Sequence, residues 1–121
     1  MGRITRALSH DGSAMAMAIN STDIVAKIEE YHKTSAVDTA ATGRLATAAS
    51  MMGVLLKAED DTLTLRLDGH GPAGVVMAVA DSFGNVKASV TNPVVELPLN
   101  AYGKLDVRGA VGRDGTLSII R

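Results

Sequence analysis

The sequence predicts an α+β fold, and three observations support that prediction. Apolar residues make up 46% of the 121-residue chain, which is enough to bury a core. Runs typical of strands stand near both ends, and a long stretch with the apolar spacing of helices lies between them. We expect a three-layer core with a mixed β-sheet, built from an N-terminal hairpin, two consecutive helices and then a run of strands.

The first residues predict the hairpin. Asp11-Gly12 separates two β-compatible runs, Ile4 to Leu8 and Ala14 to Ile19, and a short Asp-Gly connection is a strong hairpin signal. One face of the second run carries Met15, Met17 and Ile19. The opposite face carries only alanines, which predicts that another element packs very close to it.

Two helices are predicted to follow. Asn20 to Asp23 is rich in N-cap residues, and Ile24, Ile28 and Tyr31 then recur at helical spacing. A second helix is predicted from Ser35 to about Lys57, with Asp38 in a position that resembles a capping box.

The second helix is predicted to be buried on most sides, because no charged residue lies between Arg44 and Lys57. One of its stripes consists of very small residues: Gly43, Ala46, Ser50 and Gly53. An interior glycine costs about 1 kcal/mol of helix stability, so two in one stripe predict a close approach of another element. The uncharged run is well short of the ~20 residues that a membrane span needs.

The rest of the chain predicts strands. Leu63, Leu65 and Leu67 alternate with polar residues and predict a half-buried strand, whereas Val75 to Ala80 is continuously apolar and predicts a strand covered on both faces. After the Gly84-Asn85 turn, strands are predicted at Val86 to Val90 and Thr116 to Ile120, with an irregular stretch between Asn92-Pro93 and Asp114-Gly115.

Gly69 to Gly74 matches the letters of a dinucleotide-binding fingerprint, and a small-molecule or nucleotide-binding domain is the alternative that it raises. That fingerprint requires a helix whose first amides face the phosphates, but the β-rich run from Val75 follows here. Pro72 also removes an amide. We therefore predict a turn between two strands.

Composition excludes several other classes of function. The chain has no cysteine, and His10, His32 and His70 lie in separate segments, so no metal or cofactor site is expected. No catalytic residues are predicted, since no nucleophile and base are spaced for catalysis. A net charge of −1 gives no basic stripe for nucleic acid or membrane surfaces, and without a signal peptide we expect a cytoplasmic protein.

Exposed apolar residues are the remaining candidates for function. Met52 and Met77 are interpreted as core filling, while Met15 and Met17 are open to a binding role. The last strand ends at Arg121 without a terminating signal, so we expect a truncated piece with an uncovered strand edge at Ile119 and Ile120. These four residues form the candidate surface for a client protein or for self-association.

Together these segments resemble the N-terminal region of the heat-shock protein 33 family, the redox-regulated holdase chaperones also called 33 kDa chaperonins. The resemblance rests on an ordered set of motifs: Ile4 to Leu8 with Asp11-Gly12, His32, Gly43-Arg44-Leu45, Met51-Met52-Gly53, Leu56-Lys57, Gly69 to Gly74, Gly84-Asn85-Val86, Asn92-Pro93, Gly103 to Val107, Val111-Gly112 and Asp114 to Leu117. It departs at Ala36, where proline is usual, and at Ala88-Ser89, where glycine and tyrosine are usual.

The resemblance implies a function. It implies that residues 1–121 are the N-terminal part of the core domain of an ATP-independent chaperone of the bacterial stress response, which binds unfolded or misfolded proteins. It also implies a C-terminal zinc domain, absent here, whose four cysteines form the redox switch. A homodimer or a domain-swapped oligomer is expected.

Overall fold

A computed structural model describes residues 3–121, which form six strands and three helices. The elements in chain order are β1 (Ile4–Leu8), β2 (Met15–Ile19), α1 (Thr22–His32), α2 (Ala36–Gly53), β3 (Thr62–Asp68), β4 (Val75–Asp81), β5 (Val86–Val90), α3 (Val107–Val111) and β6 (Thr116–Ile120). The predicted α+β class is confirmed, with the hairpin, the two consecutive helices and the run of strands in the expected order.

The strands form two sheets. β1 and β2 pair with each other as a separate hairpin, and the remaining strands form a four-stranded sheet in the order β5-β4-β3-β6. Every pairing within residues 3–121 is antiparallel, so the expected mixed sheet is wrong. Short turns explain this for the β1–β2, β3–β4 and β4–β5 pairs, since a parallel pair needs a long crossover connection, whereas β6 reaches β3 through the longer stretch that contains α3.

Helix α2 covers one face of the four-stranded sheet. Ala49 packs on Leu63, Leu65, Ala78 and Ala80, which form the buried core beneath the helix. The small-residue stripe is buried as predicted. Another element approaches it closely, since a Cβ added at Gly53 would clash with the Asp81 carbonyl oxygen of β4. A side chain at Gly43 would similarly meet Val25 of α1 at 2.9 Å.

The other face of the sheet is less covered than predicted. In β4, Val76, Ala78 and Ala80 are buried towards α2, but Val79 on the opposite face is exposed and Met77 is half-buried. The prediction that β4 is covered on both faces is therefore wrong within residues 3–121. A continuously apolar run does not by itself show which faces are covered.

Two further details of α2 and its surroundings differ from the predictions. The helix ends at Gly53, before Lys57, because the N–H groups of Leu55 and Leu56 bond to the carbonyls of Met52 and Gly53, three residues back instead of four. The irregular stretch after β5 contains the unpredicted helix α3, whose N-cap Asp106 accepts a hydrogen bond from the Gly109 N–H at 2.9 Å. Ser35 joins this stretch to the start of α2, donating its N–H to the Pro93 carbonyl at 2.9 Å.

Candidate functional site

A large apolar cleft lies between the hairpin, α1 and the β4–β5 turn. Its volume is about 750 Å³, which is in the range of small-ligand and peptide pockets. We call it the α1–β5 cleft. Its lining residues are Ile4, Ile19, Asp23, Ile24, Lys27, Ile28, Tyr31, His32, Phe83, Gly84, Asn85, Val86, Lys87 and Ala88.

Helix α1 supplies one wall. Ile24, Ile28 and Tyr31 lie on one face of the helix, as their spacing predicts. Ile28 is buried, Ile24 is half-buried, and Tyr31 at the end of the stripe is 71% exposed. The apolar face of α1 is therefore buried at Ile28 and exposed to solvent in the cleft at Tyr31.

The base of the hairpin supplies the second wall. Ile4 and Ile19 pair directly across β1 and β2 and line the cleft together. Arg6 anchors the hairpin, since its Nη2 donates to the Val54 carbonyl at 2.9 Å, just beyond α2. The hairpin contributes apolar surface here although most of it is exposed.

The β4–β5 turn supplies the third wall. The Asp81 carboxylate accepts hydrogen bonds at 2.9 Å from the N–H groups of both Phe83 and Asn85. Burial alone would raise the pKa of Asp81, but its hydrogen bonds from Asn85, Phe83 and Gly84 outweigh that effect and lower the pKa. The turn is held firmly, and it presents Phe83 with 66% of its surface exposed.

The aromatic residues could have pointed to this cleft. The chain has three, Tyr31, Phe83 and Tyr102, and all of them are exposed although such side chains are usually buried. Two of the three line the cleft. The sequence analysis used Tyr31 only as part of the helical spacing of α1 and assigned no role to Phe83 or Tyr102.

Two lysines and one carboxylate are the charged groups that line the cleft. They are Lys27, Lys87 and Asp23, and the imidazole of His32 lies beside them. The Lys27 ammonium lies 3.6 Å from Glu30 and 5.6 Å from the Tyr31 ring centre. Within residues 3–121, no carboxylate lies within ion-pair distance of Lys87. Lys87 is therefore available to pair with an acidic group of a ligand at the margin of the cleft.

The four residues predicted as a candidate surface lie elsewhere. Met15 is exposed and Met17 half-buried on the hairpin, whereas Ile119 and Ile120 are exposed on β6, in the other sheet. β6 is an edge strand, and its Ile119 and Ile120 point to opposite faces of the sheet. The two pairs thus do not form one surface, and their role in binding stays a prediction.

The glycine-rich turn links β3 to β4, as predicted, and α3 and the chain after it fill the space beside it. Gly71 N–H donates to the Val111 carbonyl at 3.1 Å and Ala73 N–H to the Ala110 carbonyl at 2.9 Å. His70 N–H donates to Asp68, and Gly74 N–H to the Gly71 carbonyl. Because these amides already have protein acceptors, they are not available to hold a phosphate.

Residues 3–121 contain no group of three or more His, Cys, Asp or Glu side chains that could hold an ion. None of the helices in the same range combines the length and the hydropathy that a membrane span requires.

Comparison with known proteins identifies close relatives. A family model described as Hsp33 protein matches residues 2–121. The 33 kDa chaperonin of Alkaliphilus metalliredigens is 48% identical over 119 residues, which cover 98% of this chain and 41% of the relative. The Bacillus subtilis 33 kDa chaperonin is 45% identical over 121 residues, covering 100% of this chain and 41% of the relative.

A solved structure agrees with these relatives. The crystal structure of the 33 kDa chaperonin from Thermotoga maritima superposes with a TM-score of 0.85 at 29% identity, over 97% of this chain and 44% of that one. The resemblance found in the sequence is confirmed. The chain spans about two fifths of the length of the curated relatives that it matches.

Proposed function

This chain belongs to the Hsp33 family, and on that premise we propose that it is part of a chaperone that binds unfolding proteins without ATP and prevents their aggregation. The observation that carries the proposal is the α1–β5 cleft, with Tyr31 and Phe83 exposed in its walls. Unfolding proteins expose apolar segments, and burying them is favourable by about 25 cal/mol per Å². Such binding needs no nucleotide.

The cleft suits clients of many sequences. Its walls come from isoleucine, valine and aromatic side chains, which contact apolar groups without directional requirements. The two aromatic side chains also offer large contact areas at low entropic cost. We expect weak, reversible binding and a cytoplasmic location.

The proposal puts the redox control of the family outside residues 1–121. The sequence has no cysteine, and the described residues hold no metal-binding cluster, so the residues present do not fit a zinc site. We expect no stoichiometric zinc after mild dialysis and no change in circular dichroism on treatment with peroxide. Bound zinc or a peroxide response would contradict this assignment.

Holding activity can be tested by light scattering of a heat-denaturing client enzyme with and without the chain. We expect the native chain to lower scattering in the absence of ATP. The double variant Tyr31→Ser with Phe83→Ser should lower scattering less, because it removes the two aromatic side chains of the cleft. Tyr102→Ser is the matched control, since Tyr102 is 87% exposed and lies outside the cleft lining.

All three substitutions are at exposed positions, so we expect each to change the free energy of unfolding by no more than about 0.5 kcal/mol. A native chain that leaves client aggregation unchanged at several-fold excess would contradict the proposed function. Equal activity of the cleft variant and the control would place binding elsewhere on the chain.

We also propose that the chain self-associates through β6. Leu117, Ile119 and Ile120 are exposed on this edge strand, which contains no charge or proline to block pairing with a second copy. Gel filtration coupled to light scattering should show a concentration-dependent dimer or larger oligomer. Ile119→Lys should shift it towards monomer, and a native chain that stays monomeric across micromolar concentrations would exclude this interface.

A further inference from the structure

Strand β5 forms the edge of the four-stranded sheet opposite to β6. The hydrogen bonds at the two ends of its pairing with β4 show which residues of β5 bond to β4. Asp81 N–H donates to the Asn85 carbonyl at 3.0 Å, and Thr91 N–H donates to the Val75 carbonyl at 3.0 Å. In an antiparallel pair, hydrogen-bonded and non-hydrogen-bonded residues alternate. Lys87 and Ser89 therefore bond to β4.

The residues between them face away from β4. Val86, Ala88 and Val90 stand opposite Ala80, Ala78 and Val76 in the non-hydrogen-bonded positions. Their N–H and C=O groups consequently lie along the free edge of the sheet. No strand pairs with that edge, and no loop or side chain within residues 3–121 bonds to these backbone groups.

This unpaired edge opens into the α1–β5 cleft. Val86 and Ala88 line the cleft, opposite Ile24 and Ile28 of α1. A row of backbone donors and acceptors beside apolar walls matches an extended peptide, which has its own unpaired backbone groups and places alternate side chains on each face. A folded protein surface or a small apolar molecule would leave these backbone groups without partners.

The charged side chains of the cleft indicate which extended peptides it would bind. Lys87, which lines the cleft, has no carboxylate within ion-pair distance in the described chain, whereas Lys27 lies 3.6 Å from Glu30. An acidic side chain beside the apolar segment would pair with Lys87, whereas a basic one would be repelled by it. The complementary ligand is an extended apolar segment followed by acidic residues.

We propose that the α1–β5 cleft captures an extended, apolar, acid-flanked segment of an unfolding protein as an additional strand on β5. This inference rests on the proposed function and specifies how the client is held. Backbone hydrogen bonds to Val86, Ala88 and Val90 supply affinity that does not depend on sequence. The apolar walls and Lys87 supply the preference for apolar segments with an acidic flank.

The probe is a fluorescein-labelled peptide of six alternating valines and threonines followed by two glutamates, and its binding to the 121-residue chain is measured by fluorescence anisotropy. Ala88→Pro removes one outward N–H and leaves the bonds to β4 intact, a change that edge strands tolerate. We expect the dissociation constant of the peptide to rise about tenfold, which is the upper end of the effect of losing one hydrogen bond.

Leu8→Pro is the matched control. Ser9 N–H donates to the Ala14 carbonyl at 2.8 Å, so Leu8 and Met15 form the next, non-hydrogen-bonded pair. The Leu8 N–H therefore points away from β2, at the tip of the hairpin and outside the cleft lining. This variant should bind the peptide as the native chain does. Equal weakening by both proline variants, or native affinity in Ala88→Pro, would overturn the inference.

Two modified peptides test the inference without any protein variant. One peptide is N-methylated at its odd-numbered residues and a second at its even-numbered residues. Binding should be lost for the peptide whose methylated N–H groups would face β5 and should be unchanged for the other peptide. Replacing the glutamates by lysines should weaken binding by more than tenfold at low salt and less at high salt. Unchanged binding of both N-methylated peptides, or no binding of the parent peptide, would overturn strand addition.

Failure of the inference can be distinguished from failure of the proposed function. A chain that suppresses client aggregation equally well with and without Ala88→Pro holds clients by another surface. A chain that binds the peptide through β5 but leaves aggregation unchanged supports strand addition and contradicts the holding activity.

Discussion

Helix α2 and strand β2 both carry a stripe of very small residues, but only the helix buries it. Ala46 and Ser50 are fully buried, and Gly53 lies against the backbone of β4. In β2, Ala16 and Ala18 are exposed. The prediction of very close packing was right for the helix and is wrong for the strand within residues 3–121.

The difference shows which small residues signal close packing. In α2 the stripe includes glycines, each of which costs about 1 kcal/mol of helix stability, so close packing must offset that cost. The surrounding stretch also lacks charge, which leaves the helix little surface suited to solvent. In β2 an alanine costs little and the other face is not fully buried either, so the alanine stripe needs no partner.

The largest expected effect comes from filling the helical stripe. Ala46→Leu should overpack the α2–sheet interface and lower the free energy of unfolding by about 1–3 kcal/mol. Ala16→Leu, the same substitution on the hairpin, should change it by no more than about 0.5 kcal/mol. Both values follow from urea unfolding monitored by circular dichroism.

Either variant could contradict this contrast between α2 and β2. An unchanged midpoint for Ala46→Leu would mean that the stripe of α2 can expand without cost. A large loss of stability for Ala16→Leu would mean that the alanine face of β2 is covered in solution.

The sequence predicted most elements of the fold because their signals are local. The Asp11-Gly12 turn, the spacing of Ile24 and Ile28, and the alternation of Leu63 with Leu65 each appear within one segment. Helix α3 was missed because five residues are too few to show a helical period. Its N-cap Asp106 was the available signal.

The cleft could not be predicted, since it exists only where three distant segments meet. Ile4, Ile28 and Phe83 come from three elements whose relative positions depend on tertiary packing. Charge and helical spacing show that α1 has an apolar face but not what lies opposite it. The candidate surface at Met15 and Ile119 was chosen from exposure expected along single strands, which does not show whether two strands are neighbours.

The environment of Asp38 is another feature that the sequence did not reveal. The capping-box interpretation expected its carboxylate to bond near the start of α2, but the structure buries it completely, with neither oxygen hydrogen-bonded. The Thr42 hydroxyl, one helical turn on, is likewise buried without a partner. Burial raises the pKa of Asp38, because the charged form loses its hydration.

Asp38 should therefore make the stability of the chain depend on pH. The folded chain keeps the proton at pH values where the unfolded chain has lost it, so stability is highest below the ordinary pKa of 3.8 and falls as the pH rises through the raised value. Asp38→Asn, which cannot ionise, should be more stable than the native chain at pH 8. We expect about 1 kcal/mol, after subtracting the favourable interaction of a carboxylate with the helix N-terminus.

Urea midpoints of both proteins, measured from pH 8 down to the acid limit of the folded state, test this expectation. The difference should shrink as the pH falls, because the native carboxylate becomes protonated. Asp60→Asn, in the exposed loop after α2, is the control and should follow the native chain at every pH. A difference that does not change with pH would mean that Asp38 is neutral, or solvated, throughout this range.

Asp11 in the hairpin shows the opposite behaviour, and its effect is expected to be the smallest. Hydrogen bonds from the Ser13 hydroxyl, the Ser13 N–H and the Ser9 hydroxyl lower the pKa of Asp11 to about 2. Its stabilising effect on the turn itself is present above pH 3.8 and is lost as the pH falls towards 2.

Asp11→Asn should speed amide exchange at Ser13 and Ala14, because the turn opens more often. It should leave the urea midpoint unchanged, because the turn is exposed and its opening does not unfold the core. NMR titration measures the pKa directly, and a value near 3.8 would show that the turn is open in solution.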